Sequence, residues 1–432
     1  MEEKIEFYRE TEFKDTEIGK IPKEWEVVKL KDTCKLIRGT EPGSKTYNII
    51  GKGFRFIRVS DISKQVLDTV FTDEKPENLV FCHKDDVLLA LDGVPGVVAK
   101  RVEGAISSGI RIVKPNNNIY KEFLFYILQC SIVQKIINDN TTGSTIKHAA
   151  RAVNFIKLVV PPLKEQQKIA EILSTIDEAI QKTDDIIANT ERLKKGLMQE
   201  LLTKGMGHRE FKDTEIGKIP KEWEIRRLAE IGELSRGLSY GGQEKFAKEV
   251  SGGYLFFTLN SIKEGGGLKD SGWSWIRTDR VKERHFVKKG DIVIANTDIG
   301  MQRGHILGAP AIIYFPKYYK EDKAVFSHHI SKLLLRISNI DVNFLFYYLS
   351  FIQPLARKYH TGTGVWGLNV DSWARDLLIP LPSLAEQQEI SEILSDVDEK
   401  LETFKLEKIK LKKIKQWFME ELLSGRIRVR VT

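Results

Sequence analysis

The residues best suited to chemistry lie in two stretches, TTGSTIKHAAR (141–151) and TGTGVWGLNVDSWAR (361–375). Both are polar loops interrupted by Gly, placed just before the last apolar run of a domain-sized segment. In the first, small hydroxyls and backbone amides stand beside Lys147, His148 and Arg151, groups that suit phosphate oxygens and base edges. The second offers Trp366, Asn369 and Arg375, with Trp373 between them. Arg38 in LIRGT and Arg236 in LSRGL hold the same place in two repeated segments, and Arg58 and Ser60 align with Thr258 and Asn260. Any one of these residues alone fits a solvated loop or a helix cap. As a set they are donor-rich and differ between the two segments, which predicts two readers of different nucleic-acid sequences.

Catalytic chemistry finds no support. GTEPGSKT (39–46) misses the phosphate-loop spacing GxxxxGK[ST], because Ser44 separates Gly43 from Lys45, and it predicts a surface turn. An adenine methyltransferase needs [DNS]PP[YFW] to hold a flipped base, whereas the one PP lies in VVPPL. The eight His include one adjacent pair, His328–His329, whose side chains on a strand would point to opposite faces. No HxH or HExxH accompanies them, so no metal site is expected. Cys34, Cys82 and Cys130 lack a CxxC pair and read as half-buried thiols of a reducing cytosol.

The elements that must position the loops are set by a repeat. FKDTEIGKIPKEWE occupies 13–26 and returns unchanged at 211–224. PPLKEQQKIAEILSTIDEAI (161–180) matches PSLAEQQEISEILSDVDEKL (382–401), and LMQELLTK (197–204) matches FMEELLSG (418–425). The offset grows from 198 to 221, so about 23 inserted residues lie in the second centre. Landmarks survive there: RFIRVSDI (55–62) with LFFTLNSI (255–262), and DDVLLALD (85–92) with GDIVIANT (290–297).

Each copy thus has a constant rim and a variable centre. FRFIRV, DVLLAL, GVVAKRV and GIRIVKP predict strands, and KEFLFYILQCSIVQKIIND and DVNFLFYYLSFIQPLARKYH predict helices, giving a mixed α/β (α+β) domain with a β core. The expected division is recognition-type domains at 1–163 and 205–384, long helices at 164–204 and 385–425, and a tail at 426–432.

Alternating steps of four and three from Ile390 meet Leu394, Val397, Leu401, Phe404, Lys408, Leu411, Lys415, Phe418 and Leu422. The first copy gives Ile169, Leu173, Ile176, Ile180, Thr183, Ile187, Thr190, Lys194, Leu197 and Leu201. A 3.5-residue stripe sustained over five heptads predicts a coiled-coil seam, and about 40 residues make a rod of roughly 60 Å. Two matching stripes in one chain pack most economically on each other, antiparallel; the alternative is that each packs on its own domain. Apolar residues off the seam, Ile186, Leu193, Leu406, Ile409 and Ile414, together with Phe404, suggest a face for a protein partner.

The 432 residues carry 68 Lys plus Arg against 60 Asp plus Glu, a net +8, which is compatible with nucleic acid without requiring it. No apolar window approaches about eighteen residues and MEEKIEFYRETE is not signal-like, so a cytoplasmic chain with no membrane partner is expected.

FKDTEIGKIPKEWE, the PxLxEQQKIAEILxxxD pattern and the helix ends LLTKG and LLSGRIRV resemble the specificity subunit of type I restriction–modification systems, in order, in both copies. The resemblance implies two target recognition domains joined by two long antiparallel coiled-coil helices with a pseudo-two-fold repeat. It implies double-stranded DNA as ligand, read as two unlike half-sites at a fixed spacing. Two methyltransferase subunits would dock on the helices, and restriction/translocase subunits would attach through them. S-adenosylmethionine, ATP and magnesium would belong to those partners, and this subunit would do no chemistry. A different reading of the same scaffold is a standalone bipartite DNA-binding regulator.

Overall fold

The computed structural model describes residues 6–63, 69–299 and 304–430. The outermost residues of the expected first domain and tail, 1–5 and 431–432, lie outside the described residues. The chain divides into two units, Met1–Asp185 with Leu406–Thr432, and Ile186–Lys405. Each unit is mixed helix and strand, and the two repeat one plan.

In the first unit the opening repeat folds as a hairpin, Phe13–Thr16 against Gly19–Pro22. Gly19 takes φ +111°, a turn conformation that side chains with a Cβ rarely adopt. Strand Glu26–Lys29 then pairs antiparallel with Lys157–Val160, so the two ends of the domain meet. Between them lie two sheets. The four-stranded sheet runs Val98–Ala99, Val87–Ala90, Ile110–Pro115, Cys34–Arg38. The five-stranded sheet runs Tyr47–Asn48, Val70–Thr72, Phe54–Ile57, Gly104–Ile106, Phe81–Cys82. One pairing in it, Phe54–Ile57 with Gly104–Ile106, is parallel.

The second unit repeats the order: Gly232–Arg236, Ile330–Leu335, Ile292–Ala295, Pro310–Ile312 in one sheet. Its other sheet runs Lys245–Phe246, Ser274–Ile276, Tyr254–Phe257, Lys323–Phe326, Phe286–Lys288. Among the described residues the insertions lie between strands and leave the plan intact.

Several local expectations change. KEFLFYILQCSIVQKIIND forms two helices, Lys121–Ile127 and Ser131–Asp139. The amide of Gln134 donates to the Leu128 carbonyl (2.8 Å), so a side chain holds the break between them. Pro354 cannot continue a helix, and Val342–Ile352 gives way to a 3₁₀ turn, Gln353–Tyr359. FRFIRV stops as a strand at Ile57, and Val59–Ile62 is a single helical turn. GVVAKRV keeps only Val98–Ala99 as strand. Cys34 and Cys82 are buried rather than half-buried, and all three thiols are free.

The long helices span Leu163–Lys204 and Leu384–Leu423, each giving one stretch to each unit. No position of either stripe is fully exposed. In the first unit Asp177 meets Lys415 (2.6 Å) and Asp184 meets Lys408; in the second Glu191 meets Lys405 (3.7 Å). Rising numbers on one helix meet falling numbers on the other, so the paired stretches are antiparallel. The stripe ends also enter the domain cores: Ile169 and Leu173 join Trp25 and Phe123, and Ile390 and Leu394 join Trp223 and Phe344. Both arrangements weighed from the sequence are therefore present at different points of the same stripe.

The signature EQQ explains why the rims repeat. The Trp25 indole N–H donates to Glu165 (3.1 Å), and that of Trp223 donates to Glu386 (3.0 Å). Gln166 accepts from the Tyr120 amide (2.7 Å) and donates to the carbonyls of Asn118 and Pro161. Gln387 does the same with Asp341, Asn339 and Pro382. A buried Gln that satisfies three backbone groups fixes how the domain's helix meets the long helix.

A second repeated contact lies further along the same domain helix. The Tyr126 hydroxyl donates to Asp177 (2.9 Å), and that of Tyr347 donates to Asp398 (2.9 Å). Burial pushes both phenols well above their ordinary 10.0, so each keeps its proton and donates. Lys415 and Lys194 complete the two clasps on the same carboxylates.

Candidate nucleic-acid interface

In the first unit a network centred on Ser108, in the loop between Gly104–Ile106 and Ile110–Pro115, takes in Arg38 directly and His148 through Asp92 and Arg111. Arg38 ends its strand in register with Arg111 and its Nε donates to the Ser108 carbonyl (3.2 Å). Arg111 is only 8% exposed; its Nη1 donates to the same carbonyl (2.6 Å) and its Nη2 lies 3.5 Å from Asp92. Burial pulls the guanidinium pKa below its ordinary value, against the pull of Asp92. His148 Nδ1 is 2.9 Å from the other oxygen of Asp92, and Lys147 pairs in register with Gly93. Glu41 accepts from the Ser108 hydroxyl (3.1 Å) and from the Tyr47 phenol. The turn read from GTEPGSKT is thus tied into this network by Glu41.

Arg58 donates to Asp61 (3.1 and 3.3 Å), and Val59 next to it packs on Gly93 and Gly109. That contact brings Arg58 and half-buried Ser60 to the same edge. Arg151 is exposed on the 3₁₀ turn Ala150–Asn154 that follows. What results is a charged platform on which Arg38, Lys147 and Arg151 present exposed cations.

The second unit builds the equivalent place from other groups. The loop SSGIR (107–111) becomes SHHIS (327–331). His328 and His329 sit in the turn between strands rather than along one, and their rings lie 4.0 Å apart instead of on opposite faces. His329 Nδ1 is 3.0 Å from the Thr297 hydroxyl, and burial lowers its pKa from 6.5. Asn296 donates to Ser331 (2.9 Å), the counterpart of Arg111. Trp366 stacks on His360 at 4.1 Å. Asn369 caps helix Val370–Asp376 by accepting from the Ser372 amide, and Arg375 donates to the Ser372 hydroxyl. Arg236 and Asn260 are exposed. Thr258 is 3% exposed and its hydroxyl has no partner among the described residues, so it presents nothing to the surface.

The first platform is built around a buried Arg–Asp pair, and the second, which keeps exposed Arg236 and Arg375, around an Asn, a His pair and a stacked Trp, on the same frame. The sequence reading missed Glu41, Asp92, Ser108 and Arg111, and it passed over the His pair. Aligning SSGIR with SHHIS would have drawn attention to that loop.

On the long helices, Ile186 and Leu193 are exposed in the second unit, and Phe404 is half-buried there. Leu406, Ile409 and Ile414 are exposed in the first unit, where Trp417 joins them unforeseen. Among the described residues no helix is long and apolar enough to cross a membrane, and no group of three or more His, Cys, Asp or Glu could hold a metal ion.

Comparison with known proteins follows the repeat. The family profile described as Type I restriction modification DNA specificity domain matches residues 22–192 and again 220–413. The chain is 28% identical to the Type I restriction enzyme MjaVIII specificity subunit of Methanocaldococcus jannaschii, over 99% of this chain and 98% of that one. It is 24% identical to the EcoBI specificity subunit of Escherichia coli over 85% of this chain and 77% of that one. In fold it is similar to the type I restriction–modification S subunit from M. genitalium, with a TM-score of 0.56 at 15% identity, covering 92% of this chain and 96% of that one. With the profile matching both copies and most of the sequence, the chain belongs to the type I restriction–modification family as a specificity subunit.

Proposed function

We propose that each unit reads one half of a bipartite, asymmetric DNA target and that the paired long helices hold the two readers at a fixed spacing. The observation that carries this is the contrast between rim and centre. Both rims repeat the Trp–Glu contact, the Gln bridge and the Tyr–Asp–Lys clasp, so both centres are mounted alike. The centres themselves differ where donors face outward: Arg38, Lys147 and Arg151 in one, Trp366, Asn369, Arg375 and Asn260 in the other. A common mount with unlike readers yields constant geometry and a target that is unlike in its two halves. Duplicated readers also suit the two-fold character of duplex DNA.

The repeated helices would present one docking surface twice, to two methyltransferase subunits, with restriction/translocase subunits joining through them. Ile186, Leu193, Leu406, Ile409, Ile414 and Trp417 supply exposed apolar area outside the seam for that purpose, beside the half-buried seam residue Phe404. S-adenosylmethionine, ATP and magnesium would be used by those partners. This subunit would contribute recognition and geometry to a complex acting within the cytoplasm.

Exchange of residues 31–160 for the corresponding centre of another family member tests the reading. One half-site should change while the other half-site and the spacing stay. A change in both half-sites would overturn it.

A further inference from the structure

The two loops that open the sequence argument share a construction that their sequences hide. In the first unit Thr142 and His148 exchange backbone hydrogen bonds (2.9 and 2.8 Å), closing a two-stranded ribbon. In the second, Thr361 pairs with Gly367 in the same way. The Thr142 hydroxyl donates to the His148 carbonyl (3.4 Å), and the Thr361 hydroxyl donates to that of Gly367 (3.1 Å). Gly143 and Gly362 follow with φ +94° and +85°. A Cβ on Gly143 would lie 2.1 Å from the Ile146 carbonyl oxygen, and one on Gly362 would lie 2.6 Å from that of Val365. Every correspondence holds at an offset of 219, so Ile146 and Val365 occupy one position in two copies of one ribbon.

Both are β-branched, and both are exposed, at 59% and 54%, closing the stretches TGSTI (142–146) and TGTGV (361–365) of hydroxyls and Gly, with Lys147 next in the first and half-buried Trp366 next in the second. A β-branched side chain is stiff about χ1, so each tip carries its exposed methyl groups in a fixed direction. Exposed cations lie close to each ribbon in sequence: Lys147 and Arg151 by the first, Lys358 and Arg375 by the second. That setting favours a polyanion over an apolar protein surface. A two-stranded ribbon fits the major groove of B-DNA, where the thymine 5-methyl is the apolar group on the base edges.

We propose that Ile146 and Val365 are specificity-determining residues, each packing on a thymine 5-methyl in the major groove of its own half-site. This rests on the two centres being half-site readers. The full-length chain is titrated with the duplex that a randomised pool selects, each thymine being replaced in turn by deoxyuridine. In each half-site one replacement should weaken binding about three- to fivefold, the scale of one buried methyl. Ile146→Ala should abolish that sensitivity in the first half-site only, and Val365→Ala in the second only. A half-site with no A·T pair, uracil replacement without effect, or sensitivity that survives both substitutions would overturn the inference. A pool that yields no paired motifs would instead overturn the half-site reading, so the two failures are distinguishable.

Discussion

The corner where the opening hairpin meets the long helix is built twice, and the two versions differ in one basic side chain. In the first unit Arg428, returning from the far end of the chain, binds Glu165 (2.8 and 3.0 Å), Glu10 (2.8 Å) and Glu24 (2.7 Å). In the second the place is held by His208, 2.9 Å from Glu386 and 3.7 Å from Glu222. The Trp–Glu contact is the same in both. The side chain differs because the chain arrives differently: strand Phe7–Arg9 pairs with Ile427–Val429 in the first unit, whereas an internal connection, 205–210, supplies His208 in the second. A duplicated rim can thus be closed by two segments far apart in sequence or by one continuous stretch, provided a nitrogen side chain meets the signature Glu.

Removing that side chain should have the largest effect. Arg428→Met leaves Glu165 and Glu10 buried without a counter-charge and should cost the first unit about 3–5 kcal/mol. His208→Leu should cost the second about 1–2 kcal/mol, the scale of one lost hydrogen bond to Glu386. Hydrogen exchange resolved by unit measures both, and equal losses would erase the contrast. The pH dependence carries a sign. Burial alone would raise the Glu10 carboxyl, but hydrogen bonding to Arg428 and to the Thr11 and Glu12 amides outweighs it and holds the pKa below its ordinary 4.5. A depressed carboxylate stabilises fully above its unfolded value, and that stability goes as pH falls through the folded one. The gap between the parent chain and Arg428→Met should therefore be constant near neutrality and shrink below about pH 4.5.

Next in size is the Gln bridge, which should not distinguish the units. Gln166→Ala and Gln387→Ala each strand a backbone amide and two carbonyls and should each cost about 1–3 kcal/mol, read by denaturant unfolding. Smaller again, Asp177→Asn and Asp398→Asn loosen the Tyr–Asp–Lys clasps and should cost about 1 kcal/mol alike. An unequal pair in either set would show that the rims are repeated in sequence but not in energetics.

These equalities were legible in the sequence because the rims keep the residues that make them. Trp25, Glu165 and Gln166 recur as Trp223, Glu386 and Gln387, and a 3.5-residue stripe survives substitution as long as polarity is kept. The centres were legible only as strands and loops. Asp92 and Arg111 are brought together by sheet register, and Glu41 reaches Ser108 across a loop; no spacing announces either. The two ribbon tips align only when Gly143 is set against Gly362, which a residue-by-residue match displaces by one position. The helix break at residues 128–130 was hidden for a similar reason, since Gln134 stabilises it through a side chain rather than through a Pro or Gly.

The smallest effect expected is on binding. Lys147→Ala should weaken association with the first half-site and lower the slope of log K against log salt by about one if the ammonium meets a phosphate. The second half-site should be untouched, because Lys147 belongs to the first unit and the second holds Trp366 and His360 at the equivalent loop.

The central claim is that one frame mounts two unlike readers at one distance. Selection of bound duplexes from a randomised pool, with the full chain and its methyltransferase partner, tests it most directly. Two short unlike motifs separated by a single spacing are the expected result. One motif alone, two identical motifs, or two motifs at variable spacing would contradict it.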